Sequence, residues 1–355
     1  MKRPDNTAPV DRHLIIPLFI PHLGCPHQCV FCNQRTITGA TAHTPSTEQI
    51  RTEVKRFLRH AKKRYASVQI SFFGGNFLGL APHIMQQLLD AAVPFVQRGD
   101  VNSLRFSTRP DTVSHQTLDR IGDYPVSTVE LGVQSMNDNV LRAVARGHQA
   151  ADTVTAARLV KERGYQLGLQ MMVGLPGDDN DGALATARRL VALKPDFIRI
   201  YPTLVLAGSP LADLWRHGRY QPMALDACVT LVKKLFLLFN RHQIPVVRMG
   251  LQASDGLADG RNLLAGPYHP AFGHLVHGEI VLDAIQSILA DDCPANGHLS
   301  IVTHPKMVSR VQGLNKRNLR QIREMYPLSE VLITQDENFA PNQIRVGGQT
   351  LYLDT

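Results

Sequence analysis

Three cysteines carry most of the chemistry that this sequence offers. Cys25, Cys29 and Cys32 fall within eight residues, in the segment Cys25-Pro-His-Gln-Cys29-Val-Phe-Cys32. Thiolates at such spacing bind zinc or an iron–sulfur cluster. A closed structural zinc site wants four ligands, and His22 and His27 are near enough in sequence to help. Three cysteines alone suit a 4Fe–4S cluster with one iron left open for a substrate or cofactor. Spacing by itself leaves both open. Cys228 and Cys293 stand apart, and a packing role is the default for each. Five cysteines, three of them clustered, do not make a disulfide framework, which points to metal chemistry in a reducing compartment.

A loop of thiols needs elements to hold it. Short β-rich runs appear at Leu14 to Ile20, Val68 to Phe73, Leu104 to Thr108, Val129 to Gln134, Leu167 to Val173 and Phe197 to Tyr201. Helical patterns separate them, such as Ile50, Val54, Phe57, Leu58 and Ala61. Another runs from Thr153 to Arg163 and ends at Gly164, a residue suited to the position after a helix. Six strands alternating with helices predict an α/β fold with a parallel sheet and helices outside. Six units rather than eight predict an incomplete barrel. Polar or glycine-rich loops follow the strands, at Gly74-Gly75-Asn76, Thr108-Arg109, Gln134-Ser135 and Gly174-Leu175-Pro176-Gly177. The carboxyl ends of parallel strands are where such folds put their chemistry.

Beyond about Gly208 the rhythm changes. A long helix at Leu225 to Phe239 precedes a strand-like Pro245 to Leu251, a glycine-rich stretch from Ser254 to Gly273, and a tail of weaker αβ alternation. Residues 1–207 are therefore expected to form the partial barrel, and residues 208–355 a smaller α/β extension covering its opening. Apolar residues at 44% and charged residues at 19% of 355 support a sizeable core and exclude a disordered chain. No apolar run approaches the roughly 18 residues of a membrane span, so no membrane partner is expected and the cytoplasm is the expected compartment. A net charge of +8 is compatible with an anionic partner.

Cys-x3-Cys-x2-Cys, with Phe31 before the last cysteine, resembles the signature of radical S-adenosylmethionine (SAM) enzymes. The resemblance implies a partial (β/α)6 TIM barrel and one 4Fe–4S cluster per chain on the three cysteines. It further implies SAM chelated at the open iron, with one-electron cleavage to a 5′-deoxyadenosyl radical that abstracts hydrogen from the substrate. An electron donor such as flavodoxin or ferredoxin is implied as a partner.

The likeness can be followed strand by strand. Phe73-Gly74-Gly75-Asn76 resembles the family's second-strand motif, two glycines and an acid, which holds the methionine amino group. Here Asn76 replaces the acid, and its amide oxygen accepts from an ammonium without contributing charge. Ser107 and Arg109 stand at the next strand end, with Ser107 where related enzymes carry an acid. Gln134, with Arg146 twelve residues on, is similar to the pair that contacts the ribose and carboxylate of SAM in oxygen-independent coproporphyrinogen oxidases. Gln170 and Met172 resemble the strand lining the adenosine pocket.

From Ile20 to Gly177 the string most resembles the radical domain of the Elongator catalytic subunit, and especially its stand-alone bacterial relatives. Leu264-Ala-Gly-Pro-Tyr268-His269-Pro270 extends this likeness, and Tyr268 and His269 are candidate catalytic residues on a loop that closes the barrel. The resemblance implies radical chemistry on a wobble uridine of transfer RNA, using an acetyl group from acetyl-CoA. Arg51, Lys55, Arg59 and Lys62 on one helix face, and Lys316, Arg317, Arg320 and Arg323 later, offer positive charge to such a partner. The residues after the barrel and its extension are too few for the acetyltransferase domain of the Elongator subunit. The alternative is an anaerobic tetrapyrrole or other small-molecule enzyme, like the coproporphyrinogen oxidases. A further reading is a non-catalytic iron–sulfur or zinc protein.

Overall fold

Short strands rich in apolar residues pair here in parallel. A computed structural model of the protein describes residues 13–20, 22–33, 44–61, 65–251 and 261–353. The main sheet contains β1 (His13–Phe19), β2 (Ser67–Phe73), β3 (Ser103–Thr108), β4 (Val126–Gln134), β5 (Gln166–Val173) and β6 (Phe197–Pro202) in that spatial order. Every neighbouring pair is parallel. The sheet curls into a half-barrel, as the alternation predicts. It also gains a seventh strand. After the short β7 (Val205–Leu206), β8 (Val246–Met249) adds beside β6. The sheet thus draws one strand from beyond residue 207.

Helices follow the strands: α1 (Thr47–Ala61), α2 (Pro82–Gln97), α3 (His115–Asp119), α4 (Asp138–Ala143), α5 (Ala150–Glu162), α6 (Asn180–Ala192), α7 (Pro210–Arg216) and α8 (Leu225–Arg241). Ser46 and Gln49 start α1 by a reciprocal cap: the Gln49 amide donates to Ser46 Oγ and the Ser46 amide to Gln49 Oε1. Ile50 and Val54 of α1 are buried against the sheet, while Arg51, Lys55 and Arg59 stay exposed. Lys62 and the side chain of Ala61 lie outside the described residues. Gly164 follows α5 at φ 75°, where a side chain would be strained. Inside, Phe72, Phe77 and Phe106 are fully buried and stack with centroids 5.1 and 4.5 Å apart. Each such ring removed from water contributes about 2–3 kcal/mol. Cys228 of α8 is fully buried in this core, its thiol pushed up to about 12 by burial, which is the packing role expected.

The rest of the chain is a second layer. β9 (Leu263–Ala265) pairs antiparallel with β7. Helix α9 (Phe272–Asp291) then spans two cores: Leu275, Val276 and Ile280 pack into the barrel cluster, and Val281, Ile285 and Leu289 into another. That second cluster covers one face of a four-stranded sheet in the order β11 (Glu330–Gln335), β10 (His298–Thr303), β12 (Gln343–Val346), β13 (Gln349–Tyr352). Two short helices, α10 (Val308–Gln312) and α11 (Arg317–Met325), complete it. Lys316, Arg320 and Arg323 are exposed, but Arg317 is tied to Asp226 at 3.1 Å. No helix among the described residues is long and apolar enough to cross a membrane.

Candidate active site

The cysteine loop leaves β1 and is fastened at once to the end of β2. The Ile20 amide donates to the Phe73 carbonyl at 2.8 Å, the His22 amide to Gly74 at 3.1 Å, and the Asn76 amide to Leu23 at 2.8 Å. Asn76 Nδ2 donates to the Gly24 carbonyl at 2.8 Å. Gly24 has φ 72°, and a Cβ there would lie 2.3 Å from the Asn76 carbonyl oxygen, so glycine is required. The far end of the loop hangs on the second half of the barrel. Val30 donates its amide to Val144, just past α4, and accepts from Leu211 in α7. Cys29 is buried, Cys25 and Cys32 are half-buried, and all three face one cavity of about 450 Å³.

Arginines stand behind the thiols. Arg146 donates from Nη1 to Cys29 Sγ at 3.3 Å and from Nη2 to the Gly132 carbonyl. Arg109, 2% exposed, donates to the Arg146 carbonyl and pairs with Asp111 at 3.0 Å. Burial pushes the Cys25 thiol up, although Arg146 and Arg109 pull the other way. His148 lies beside the same arginines, and burial together with their charge pushes its imidazole down to about 3, which keeps it neutral. Gln134 closes β4 with φ 70°, a left-handed backbone unusual outside glycine that turns the chain at the cavity wall.

Below this level the barrel interior is charged. Glu130 is fully buried and receives Arg105, Arg199 at 2.7 Å and Gln170 Nε2 at 3.0 Å. Burial alone would raise its carboxyl, but the Arg199 and Arg105 guanidiniums outweigh that and hold it below the usual carboxylate range. Gln170 also donates to Ser107 Oγ at 3.2 Å.

The cavity wall gathers Cys25, Cys29, Phe31, Cys32, Gly74, Gly75, Ser107, Arg109, Gln134, Arg146, Gln170 and Met172. Three expectations are not met by the geometry. The Asn76 side chain is fully buried and not part of the cavity wall. Its Oδ1 already accepts from Thr108 Oγ1 at 2.7 Å, Thr112 Oγ1 at 2.8 Å and the Arg109 amide at 3.0 Å, so it is a structural clamp rather than an acceptor for a ligand amine. Tyr268 is also outside the wall; it packs against Leu204 and Leu206, and those two leucines line the cavity instead. His269 uses Nδ1 to accept from the Ala271 amide at 3.0 Å, next to the start of α9, and is not part of the wall either. The stretch is rich in glycine and proline, yet Tyr268 is held by packing and His269 by its bond to the Ala271 amide.

Arg199, Tyr201 and Arg248 are in the wall and were not singled out from the sequence. A signal existed for two of them. In Phe197-Ile-Arg199-Ile-Tyr201, polar residues alternate with apolar ones in what is otherwise a core strand, so one side of β6 must face something polar.

Three thiols and a ring of strand-end polar groups around one cavity invite comparison with known proteins. The Radical SAM superfamily model matches residues 19–190, and the Radical_SAM C-terminal domain model matches residues 195–281. The tRNA uridine(34) acetyltransferase of Dehalococcoides mccartyi is 32% identical over 168 residues, 44% of this chain and 37% of that protein. Elongator complex protein 3 of Schizosaccharomyces pombe is 27% identical over 262 residues, 61% of this chain and 48% of that one. The chain thus spans less than half the length of these two relatives. Among solved structures, the archaeal Methanocaldococcus infernus Elp3 with an N-terminal deletion has a TM-score of 0.61 at 18% identity, covering 82% of this chain and 71% of its own. That likeness establishes the shared fold. The half-barrel, the thiol loop at its mouth and the two family matches together make this chain a member of the radical SAM superfamily, an iron–sulfur enzyme related to the Elongator-type proteins.

Proposed function

We propose that this protein binds one 4Fe–4S cluster through Cys25, Cys29 and Cys32 and SAM beside it, and that it modifies a uridine of transfer RNA. The observation that carries this reading is the convergence of the three thiols with Gly74, Ser107, Gln134, Arg146 and Gln170 on one cavity. The donor chemistry fits such a cluster. Soft thiolates favour iron–sulfur binding, and the Arg146 guanidinium donates to Cys29 Sγ at 3.3 Å. Arg109 Nη1 and Arg146 Nε are buried N–H groups with no acceptor among the described residues, so the wall has spare positive charge for an anionic ligand.

When bound, the cluster supplies one electron to SAM, whose cleavage supplies the radical that takes hydrogen from the substrate. The chain's own residues do the rest. Gly74, at φ 83° and without a side chain, allows the ligand to approach the end of β2. Gln134 and Arg146 bind and orient the ribose and carboxylate ends of SAM. Leu204, Leu206 and Leu251 form an apolar side that excludes water from the reacting atoms. The likeness to the Dehalococcoides tRNA uridine(34) acetyltransferase supports the transfer RNA substrate. A low-potential donor such as flavodoxin or ferredoxin is the proposed electron partner.

The test is anaerobic incubation of reconstituted protein with SAM and dithionite, with methionine and 5′-deoxyadenosine measured with and without transfer RNA. Cleavage that increases with added transfer RNA is expected. Absence of cleavage under reducing conditions would reject the enzyme reading; cleavage indifferent to RNA would reject the substrate.

A further inference from the structure

Two arginines face each other across the last strand pair of the barrel. Arg199 on β6 and Arg248 on β8 are register partners, in the row that continues from Gln170 on β5. Both line the cavity, with Tyr201 two residues along the same face of β6. Like charges directly opposite each other in a sheet are destabilising. The surroundings relieve only half of this conflict. Arg199 is bound to Glu130, but Glu130 also answers Arg105, so one carboxylate serves two buried guanidiniums. Arg248 has no acid partner among the described residues; its Nε donates to the Gly250 carbonyl at 3.0 Å. Arg105, Arg199 and Arg248 therefore set three positive charges against the single negative charge of Glu130. Burial works against the charge of Arg248 and Arg199 adds to the effect, while Tyr201 acts in its favour.

The position of this charge separates it from the cofactor residues. The groups proposed for SAM come from β2 to β5 and the turn after α4, with Gln170 of β5 in register with Arg199, whereas Arg248 lies on the edge strand β8, two strands beyond β5. Guanidiniums with free Nη groups in a cavity bind oxyanions through paired, charge-assisted hydrogen bonds. We infer that Arg248, with Arg199 beside it, forms an oxyanion subsite on the β6–β8 side of the cavity, which holds a phosphate or carboxylate group of the substrate and turns the substrate's reacting carbon toward the cysteine loop. This rests on the reading of the cavity as the active site and adds the chemistry that its substrate must carry. A phosphodiester of RNA and a carboxylate of a small metabolite share that chemistry, and they are separated by competition.

The experiment is calorimetric titration of the anaerobically reconstituted protein with inorganic phosphate, followed by competition with citrate and with a short single-stranded RNA. Arg248→Gln is expected to weaken phosphate binding at least tenfold, Arg248→Lys less, and Arg59→Gln on the outer basic helix not at all. Thermal stability in phosphate-free buffer should rise in Arg248→Gln, because a like-charge conflict is removed. Displacement of phosphate by the RNA would identify a phosphodiester as the ligand. Displacement by citrate but not RNA would keep the subsite and overturn the transfer RNA reading. Failure of the wild-type chain to take up iron, with phosphate binding still lost in Arg248→Gln, would overturn the cluster reading but keep the subsite. No phosphate binding by the wild-type chain, or equal affinity in wild type and Arg248→Gln, would overturn the subsite.

Discussion

Arg146 donates from Nη1 to Cys29 Sγ at 3.3 Å, joining two residues 117 positions apart, and holds the Gly132 carbonyl with its other Nη. One guanidinium thus ties the thiol loop to the end of β4. Lysine keeps the charge but cannot reach both acceptors with a planar fork. Arg146→Lys should lower SAM affinity about tenfold, ~1.4 kcal/mol, by equilibrium dialysis. Unchanged affinity would remove Arg146 from the ligand's contacts.

Asn76→Asp restores the acid of the family motif, and a tighter hold on the ligand amine would be the simple expectation. The hydrogen bonds argue otherwise. Aspartate keeps the three donors to Oδ1 but replaces the Nδ2 donor with an oxygen facing the Gly24 carbonyl. A lost hydrogen bond and a buried oxygen–oxygen contact should cost about 1–3 kcal/mol, read as a lower midpoint in urea denaturation. Full stability combined with stronger SAM binding would show that the side chain reaches the ligand after all.

Tyr268 has a buried hydroxyl with no partner among the described residues and packs beside Leu204 and Leu206. Removing an unsatisfied hydroxyl relieves a desolvation cost. Tyr268→Phe should therefore raise stability by about 1 kcal/mol in chemical denaturation, with SAM cleavage retained. A loss of substrate turnover at unchanged stability would return Tyr268 to the catalytic residues.

Acid should destabilise the junction between the two cores. His277 of α9 is packed edge-on against Phe236 at 5.1 Å, and burial, with the charges of Arg310 and His274, pushes its imidazole down to about 4. The unfolded chain binds this proton near pH 6.5, before the folded one does, so the stability is present above about 6.5 and is lost as pH falls toward 4. His277→Phe should reduce the drop in unfolding free energy between pH 7.5 and pH 5 by on the order of 1–2 kcal/mol. An identical pH dependence in wild type and variant would mean that His277 is protonated equally in both states.

Much of the barrel was legible because parallel strands buried on both faces are largely apolar, as in Leu167 to Val173 with Gln170 the one polar residue, and because Gly164 and the Ser46–Gln49 cap mark helix ends locally. The thiol loop and the polar strand ends were legible for the same reason: their spacing is a local property. What escaped depends on distant partners. Asn76 is committed to Gly24, Thr108, Arg109 and Thr112, which no pattern around residue 76 reveals. The strand-like Pro245 to Leu251 was legible, but its pairing beside β6 was not, because β8 is four residues long with Val247 53% exposed and follows the change of rhythm after Gly208. Arg248 gains its meaning only from its register with Arg199. Helix α9 is apolar on nearly all sides because it serves two cores, so its residues gave no single buried face to read.

Iron and acid-labile sulfide per chain, measured after anaerobic reconstitution of the wild type and of single cysteine variants, test the central claim most directly. The expected result is about four irons and four sulfides in the wild type and in Cys228→Ala, and loss of both in Cys25→Ala, Cys29→Ala and Cys32→Ala. One tightly held zinc without iron in the wild type, or a full cluster in Cys29→Ala, would contradict it.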